Sequence, residues 1–216
     1  MKPIIFSTAE VNEILNGNKV QFRKPIKPQP RQPIPLGFIS DSTDIKRIGC
    51  YGWGVDELGG VLSIAKPPYK IRDILYVKES WRYGSGRGTS TYQYKTDMTE
   101  KELEEEREEY EPGVLKWKSP VTMPKEAAGY FLKIKDVKVQ KLQDMQGEDF
   151  ELEMGINEVD SPCNSCKGNT DSCCSGYCKL EVEFSYTWDK KYKKKGYGWD
   201  RKHWTWVFEF EIADKE

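Results

Sequence analysis

The stretch that decides the fold is "YFLKIKDVKVQKL", residues 130–142, in which apolar and polar side chains alternate. Alternation with a period of two is typical of a β-strand that buries one of its faces. The phase of the alternation slips at Asp136, because Ile134 belongs to one phase and Val137 to the other. Such a slip predicts a β-bulge or a turn at this position.

Other stretches with the composition of strands lie on both sides of this one in the chain. "WVFEFEI" (206–212) alternates cleanly, "DILYVKESW" (73–81) is rich in β-branched and aromatic residues, and "TYQYKTD" (91–97) alternates again. Strands therefore dominate the predicted structure, with a few short helices between them. We expect an α+β chain that is mainly β, with an antiparallel sheet curled into a small barrel.

Two stretches carry the signals of helices. In "STAEVNEILNG" (7–17), Ser7 is placed to cap the helix and Glu10 to complete a capping box. Gly17 follows where such a helix would end. Residues 99–110 are acidic all round and predict a second, solvent-exposed helix that also begins with a capping box.

Two further stretches are harder to assign. Five closely spaced prolines disfavour helix and regular sheet, so we expect a long irregular segment over residues 25–60. "KLEVEFSYTWDKKYK" (179–193) begins with the alternation of a strand, but Phe184, Trp188 and Tyr192 recur at every fourth position, as on a helix. We expect a strand-like start followed by a helix.

Composition limits the class of protein. Hydrophobic residues make up 37% of the 216 residues, and 7 Trp, 12 Tyr and 8 Phe supply large side chains for a core. No apolar run approaches the roughly 18 residues of a membrane-spanning helix, and the N-terminus lacks the apolar core of a signal peptide. We expect one cytoplasmic domain over residues 1–216 with no membrane partner, an acidic helical insertion at 98–113 and a cysteine-rich insertion at 160–179.

The net charge of −1 hides an uneven distribution of charge. Residues 1–97 hold 15 Lys and Arg against 9 Asp and Glu, whereas residues 100–111 hold 8 acids against 2 bases. A basic first half favours an anionic partner such as nucleic acid, although ordinary solvated lysines would give the same count.

The basic residues are densest in "NGNKVQFRKPIKPQP", residues 16–30. Lys19 offers a compact charge for a phosphate, or a deprotonatable amine if it is desolvated. Arg23 has the geometry for bidentate contacts to a phosphate or a base edge, and Phe22 and Trp81 are candidates to stack on a base. The alternative is that Phe22 and Trp81 belong to the core and that Arg23 pairs with Glu79.

The cysteines are concentrated in "CNSCKGNTDSCCSGYC", residues 163–178. In a chain without a secretory signal this clustering favours a metal site over disulfides, although disulfides or free thiols remain the alternatives. A structural zinc ion needs four tetrahedral ligands. The candidate ligands are Cys163, Cys166, Cys178 and one of Cys173 and Cys174. The single histidine, His203, is distant in sequence and is expected to be a surface or packing residue.

Four segments, taken together and in order, resemble one known family. They are "ILNGNKVQFRKPIKPQP", "RDILYVKESW", "SPVTMPKEAAGYFLKIKDVKVQKLQDM" and "KKGYGWDRKHWTWVFEFE". The chain is similar in these segments to the ASCH-domain proteins of phages and prophages, which belong to the PUA-like superfamily. The resemblance covers most of the chain and omits the acidic helix and the cysteine-rich insertion.

The resemblance implies a β-barrel of about five or six strands with flanking helices. It also implies a cleft that holds RNA or a modified nucleobase. The family hallmark is a glycine, a lysine two residues later, and then a hydroxyl residue and basic residues. In this chain the hallmark falls on Gly17, Lys19, Arg23 and Lys24.

The chain departs from the family at a catalytic position. Relatives that hydrolyse acetylated cytidine use a lysine, a threonine three residues later and a glutamate. Here Phe22 follows Lys19 at that spacing, and a phenyl ring supplies no nucleophilic or proton-relaying oxygen. The glutamate would fall in "GEDFELEMG", where Glu148 and Glu153 are the candidates. Arg72 also stands where relatives usually carry glycine.

Three functions follow as hypotheses. The first is a binding protein for nucleic acid or a modified nucleotide, RNA being favoured, that uses Lys19, Arg23, Lys24, Glu79 and Trp81. The second is a hydrolase of a nucleoside or of RNA, with Lys19 and either Glu148 or Glu153 as its catalytic groups. The third is a phage structural or assembly protein, for which "YGWDRKHWTW" (197–206) would supply aromatic contacts.

Overall fold

The computed structural model describes residues 1–84, 91–109, 116–156 and 177–214. Within these residues the chain forms ten strands and four α-helices, which confirms an α+β protein that is mainly sheet. In chain order the elements are β1 (Lys2–Ile5), α1 (Thr8–Leu15), β2 (Gln21–Pro25), β3 (Pro35–Phe38), β4 (Tyr51–Val55), β5 (Val61–Ala65), β6 (Ile74–Lys78), β7 (Trp81–Tyr83), β8 (Tyr92–Tyr94), α2 (Glu100–Glu109), β9 (Phe131–Lys141), α3 (Gly147–Met154), α4 (Tyr177–Tyr192) and β10 (Trp204–Ala213).

The main sheet has five strands in the order β1-β6-β9-β10-β2. Strand β1 runs parallel to β6, and the other neighbours are antiparallel. Strand β9, the alternating stretch quoted first, lies at the centre between β6 and β10. The expected bulge is present: Asp136 pairs with Glu209, Ile134 pairs with Phe210, and the ladder shifts register between the two pairs. The bulge lets both phases of β9 bury their apolar residues.

The expectation of a closed barrel is wrong for the described strands. No ladder joins the two edge strands, β1 and β2, so among these residues the sheet stays open. Ile4 and Ile5 of β1, together with Phe22 and Lys24 of β2, line one cavity of about 480 Å³. This cavity therefore lies between β1 and β2, the two edge strands that would be hydrogen-bonded to each other in a closed barrel.

The core lies on one face of this sheet and is rich in aromatic residues. Phe22 stacks on Phe208 with ring centroids 5.0 Å apart, and both side chains are buried. A second sheet, with the order β3-β4-β5, adds the buried Trp53 to the same core. The expectation of an irregular segment over residues 25–60 is therefore wrong in part. Pro35 lacks a backbone N–H, but it is the first residue of β3, and β3 is an edge strand of the second sheet. Proline is tolerated at such a position.

The helices follow the sequence signals in two cases. In α1, the Ser7 side chain accepts from the Glu10 amide, and the Glu10 carboxylate accepts from the Ser7 amide, so the capping box is present. In α2, Thr99 and Glu102 make the same reciprocal contacts. Gly17 has a φ of +78°, which suits the turn that ends α1 and leads into β2.

Helix α4 corrects the expectation of a strand-like start. Its whole length is helical, and Leu180, Phe184, Trp188 and Tyr192 form one buried stripe. Val182 and Tyr186, which a strand would bury on the same face as Leu180 and Phe184, are exposed, so the four-residue period prevails over the two-residue one. Helix α3 packs against this stripe through Phe150, and together the two helices make a second apolar cluster beside the sheet.

Some expectations fall on residues that are not described. Cys163, Cys166, Cys173 and Cys174 lie outside the described residues, and Cys178 belongs to the first turn of α4. Among the residues that are described, no group of three or more His, Cys, Asp or Glu could hold a metal ion. No helix in the described part of the chain is long and apolar enough to cross a membrane.

Candidate ligand-binding cleft

The basic stretch is divided between the two faces of β2, because neighbouring residues of a strand point in opposite directions. Gln21 and Arg23 face helix α3, and Gln21 Nε2 donates to the backbone carbonyl of Asp149 at 2.9 Å. Phe22 and Lys24 face the other way, and Lys24 Nζ lies 6.0 Å from the centroid of the Phe22 ring. The cations of this stretch therefore serve two different environments.

Arg23 anchors α3 to the sheet. Its guanidinium is fully buried; Nη1 donates to Glu153 Oε2 at 2.8 Å, and Nη2 donates to Asp149 Oδ1 at 2.8 Å and to Gln140 Oε1 at 2.7 Å. The Arg23 amide donates to Glu153 Oε1, also at 2.8 Å. The suggested pairing of Arg23 with Glu79 is thus wrong. Arg23 borders the cleft but spends both Nη groups on the protein itself, and its buried Nε has no hydrogen-bond partner among the described residues.

Glu79 and Trp81 lie away from the basic stretch. Glu79 is completely buried just after β6, where the Thr96 hydroxyl donates to its carboxylate. Trp81 is also buried, in a separate cluster with Tyr94 and Met123. Neither residue lines the cavities around Lys19. The alternative that Trp81 and Phe22 belong to the core is therefore correct. The Phe22 ring is stacked inside the main core.

Lys19 is a buried amine beside two glutamates. Only 3% of the residue is exposed, and Nζ donates to the backbone carbonyl of Glu153 near the C-terminal end of α3. Nζ also lies 3.9 Å from Glu10 Oε1 and 5.9 Å from the centroid of the Phe6 ring. Burial lowers the pKa of Lys19, because desolvation outweighs the attraction of Glu153 and Glu10.

Two adjoining cavities surround these groups, and together they are called the β2–α4 cleft. The first has a volume of about 480 Å³ and is lined from β1, β2 and α4. The second has a volume of about 640 Å³ and extends along α4 past Lys19. The two cavities share their central lining residues, which are Ile5, Phe6, Glu10, Arg23, Glu153, Lys191 and Tyr192. A ligand could therefore occupy both without leaving the cleft.

Five lysines converge on the first cavity, namely Lys24, Lys27, Lys66, Lys191 and Lys195. Lys24 is held by Tyr69, with Nζ donating to the hydroxyl at 2.6 Å and lying 4.4 Å from the ring centroid. Burial and the repulsion of Lys191 and Lys27 lower the pKa of Lys24 to about 8. No salt bridge joins any of the five to a carboxylate among the described residues.

The two carboxylates that line the first cavity, Glu10 and Glu153, do not cancel this charge. Glu153 spends both carboxylate oxygens on Arg23, so that pair is neutral. Glu10 is committed to the cap of α1 through Oε2, and its Oε1 faces Lys19. Burial raises the pKa of Tyr192 well above its ordinary value, so the Tyr192 hydroxyl stays neutral beside the lysines. The first cavity is therefore a positively charged site.

Sequence reasoning missed several of these residues. Glu10 was assigned only to a helix cap, and Lys66 carried no signal of its own. Lys191, Tyr192 and Lys195 belong to "KKYKKK" (190–195), a charge run that could have been proposed as part of a basic site. Only the packing of α4 beside β2 brings this run to the same cavity as Lys24.

Glu148 and His203 lie outside the cleft. Glu148 is exposed in the first turn of α3 and lines a separate cavity of about 670 Å³ with Lys138 and Glu209. That cavity shares no lining residue with the β2–α4 cleft. Of the two glutamates proposed for catalysis, only Glu153 is therefore near Lys19. His203 packs against Tyr197, as expected of a packing residue.

Comparison of the chain with protein-family models, with curated proteins and with solved structures gives no match. A functional assignment therefore depends on the chemistry of the cleft.

Proposed function

We propose that the chain binds nucleic acid or a modified nucleotide, with RNA as the favoured ligand, and that the β2–α4 cleft is the binding site. The observation that carries this proposal is the convergence of Lys24, Lys27, Lys66, Lys191 and Lys195 on one cavity. Cations that repel one another in a partly buried site are stabilised by an anion, and the phosphates of nucleic acid are anions that clustered lysines bind.

The second cavity suits an aromatic, uncharged part of such a ligand. Its walls include Phe184, Trp188 and Tyr192, and the ring of Tyr186 is 72% exposed at its margin. An exposed ring of this kind can stack on a base. Tyr186 therefore takes the stacking role for which the sequence suggested Phe22 and Trp81.

We further propose that the chain is an ASCH-domain protein of the PUA-like superfamily. The hallmark residues support this proposal by their positions: Gly17 makes the turn after α1, Lys19 lies at the bottom of the cleft, and Lys24 lines its charged end. Arg23 supports the site by fixing α3 rather than by contact with the ligand.

The test is binding of labelled single-stranded and double-stranded RNA and DNA at about 50 and about 200 mM salt. The variant Lys24→Ala/Lys191→Ala is compared with Lys133→Ala/Lys135→Ala, a matched control that removes two exposed lysines of β9. The cleft variant is expected to bind more weakly and to lower the salt slope for single strands by about 1.4, because it removes two phosphate contacts. The control is expected to bind like the native chain. Failure of the native chain to bind any nucleic acid or modified nucleotide would overturn the proposal.

A second candidate function is hydrolysis of a modified nucleoside or of RNA. It is favoured by one observation, the desolvated amine of Lys19 at 3.9 Å from Glu10 inside a cavity. In that reaction Lys19 would act as the base, and Glu10 is better placed than Glu153 as its carboxylate partner because Arg23 occupies both oxygens of Glu153. Turnover of modified nucleosides and RNA by the native chain tests it. Lys19→Met is expected to lower the rate by about 10²- to 10⁴-fold, and absence of native turnover excludes the function.

A further inference from the structure

A second site combines an exposed aromatic ring with lysines, outside the β2–α4 cleft. It lies between the β7–β8 hairpin and residues 116–124, around a cavity of about 650 Å³. Its main groups are Trp81, Tyr83, Lys116 and Lys118, which are called the hairpin platform. Tyr83 is 64% exposed, so its ring is available to a ligand.

The geometry of the platform brings its cation onto its rings. Trp81 and Lys118 face each other across an isolated bridge, and Lys118 Nζ lies 3.9 Å from the centroid of the Tyr83 ring and 4.8 Å from that of Trp81. The buried Nε1 of Trp81 has no hydrogen-bond partner among the described residues. Trp81 is buried and supports Tyr83, whose exposed ring beside lysines is the combination that binds single-stranded nucleic acid without regard to sequence.

The acidic helix α2 does not cancel the charge of the platform. Arg82 points to the other face of the hairpin, because its neighbours Trp81 and Tyr83 define the platform face. On that other face Arg82 makes a partly buried salt bridge to Glu106 of α2 and a hydrogen bond to Gln93 at 2.7 Å. Arg82 also lies 4.2 Å from the ring centroid of Trp117, which lines the platform cavity, so the Arg82–Glu106 pair borders the platform. Glu106 is neutralised by Arg82, and no salt bridge joins the described residues of α2 to Lys118.

The platform and the cleft border the same segment of the chain, residues 116–124. Pro120 lines the second cavity of the β2–α4 cleft, and Ser119, the residue before it, lines the cavity of the platform. The first and second cavities of the cleft already share their central residues. The platform cavity shares no lining residue with either of them, and the chain links it to the cleft at Ser119 and Pro120.

We propose that the ligand is a single-stranded nucleic acid that follows a track from Lys24, past Lys19, to Tyr83, with Tyr83 stacking on one of its bases and Lys116 and Lys118 contacting its phosphates. The inference rests on the proposed function and extends it from the cleft to a strand. A duplex does not fit this role, because its bases are already stacked on each other. A free nucleotide is too short to occupy both the cleft and the platform.

The experiment measures binding of fluorescein-labelled single-stranded RNA and DNA of about 3 and about 12 nucleotides, lengths that bracket the usual site of such proteins. The native chain is expected to bind the longer strand more tightly. Tyr83→Ala is expected to lower the affinity for the longer strand by about fivefold to a hundredfold and to leave the affinity for the shorter strand unchanged. Tyr83→Phe keeps the ring and is expected to bind like the native chain.

The lysines are tested by the salt dependence of the same binding. Lys118→Ala is expected to lower the salt slope for the longer strand by about 0.7, the contribution of one phosphate contact on a single strand. Lys135→Ala removes an exposed lysine of β9 that is paired with Glu211 and is expected to leave the slope unchanged. Both variants keep the folded core, because both side chains are exposed.

The outcomes separate this inference from the proposed function. If the native chain binds both lengths with equal affinity, or if Tyr83→Ala binds the longer strand with native affinity, the inference is wrong and the cleft alone is the binding site. Loss of binding in Tyr83→Ala with no effect of Lys24→Ala/Lys191→Ala overturns it too, since the platform would then act alone. Absence of binding at both lengths overturns the inference and leaves only a modified nucleotide as the ligand of the proposed function.

Discussion

Replacement of Glu153 by alanine tests whether the Arg23 network holds helix α3 on the sheet. Glu153 accepts from the Arg23 amide and from Arg23 Nη1, each at 2.8 Å, and both side chains are nearly inaccessible to solvent. Glu153→Ala leaves a buried guanidinium without its main counter-charge and leaves a buried amide without an acceptor. Both losses destabilise the folded state, because neither group regains water at this depth.

The expected loss in free energy of unfolding is about 3 kcal/mol. Breaking a buried ion pair by removing one partner typically costs about 3–5 kcal/mol. The lower end applies because Arg23 Nη2 keeps its bonds to Asp149 and Gln140. Glu148→Ala is the matched control on the same helix. Glu148 is exposed and interacts mainly with the helix dipole, so its loss is expected to cost at most about 1 kcal/mol.

Urea unfolding followed by tryptophan fluorescence measures the difference. With an m-value of about 3 kcal/mol/M, as expected for a chain of this size, Glu153→Ala should lower the midpoint by about 1 M at unchanged m. A midpoint within about 0.3 M of the native value would refute the anchoring role. Equal losses in Glu153→Ala and Glu148→Ala would refute it as well, since the buried network would then contribute nothing beyond the helix itself.

Further predictions concern a titrating lysine, a crowded glycine and the cysteine-rich insertion. Because the pKa of Lys24 is about 8, Lys24 loses its charge as pH rises through that value, and RNA affinity should fall between roughly pH 7 and 9. The Lys24→Arg variant stays charged over this range, so the same fall in its RNA affinity would show that Lys24 is not the cause. Gly155→Ala should cost about 1–3 kcal/mol of unfolding free energy from its φ of +76°, with more from a contact of 2.6 Å to Glu13 Cβ. Gly196→Ala, with a φ of +85° and open space, is the control, and equal losses by urea unfolding would refute the crowding. For residues 160–179, metal analysis of protein purified without chelator should find about one zinc per chain, and less than about half an equivalent would reject the site.

Elements with strong local signals could be predicted from the sequence. The alternation of residues 130–142 predicted the central strand, and its slip at Asp136 predicted a bulge or a turn one residue from the unpaired Lys135. The capping box of Ser7 and Glu10 predicted the start of α1. These signals succeed because the physical cause, a period of burial or a bond to the next turn, lies within a few residues of the chain.

The rest depended on contacts between distant residues. Arg23 and Glu153 are 130 positions apart, and nothing in the sequence near Arg23 favours Glu153 over Glu79 as its partner. Helix α4 begins with alternation that a strand would also show, and only packing against α3 selects the helical stripe of Phe184. The prediction of a closed barrel was wrong for the described strands. Closure depends on whether the two edge strands pair with each other, and the sequence of neither strand alone determines this.

The basic stretch combines two roles that separate variants can distinguish. Arg23 faces α3 and fixes the helix, whereas Lys24 faces the cavity to which α4 contributes Lys191. Lys24→Ala should therefore weaken RNA binding with little change in unfolding free energy. Arg23→Met should lower both, because it releases α3 and with it the support of α4. Because the charged cavity is built from strand β2 and a helix near the other end of the chain, binding should be lost whenever this packing is lost, even in variants that keep every lysine. An Arg23→Met chain that unfolds earlier in urea but binds RNA with native affinity would show that the lysines act without the packing of α3 and α4.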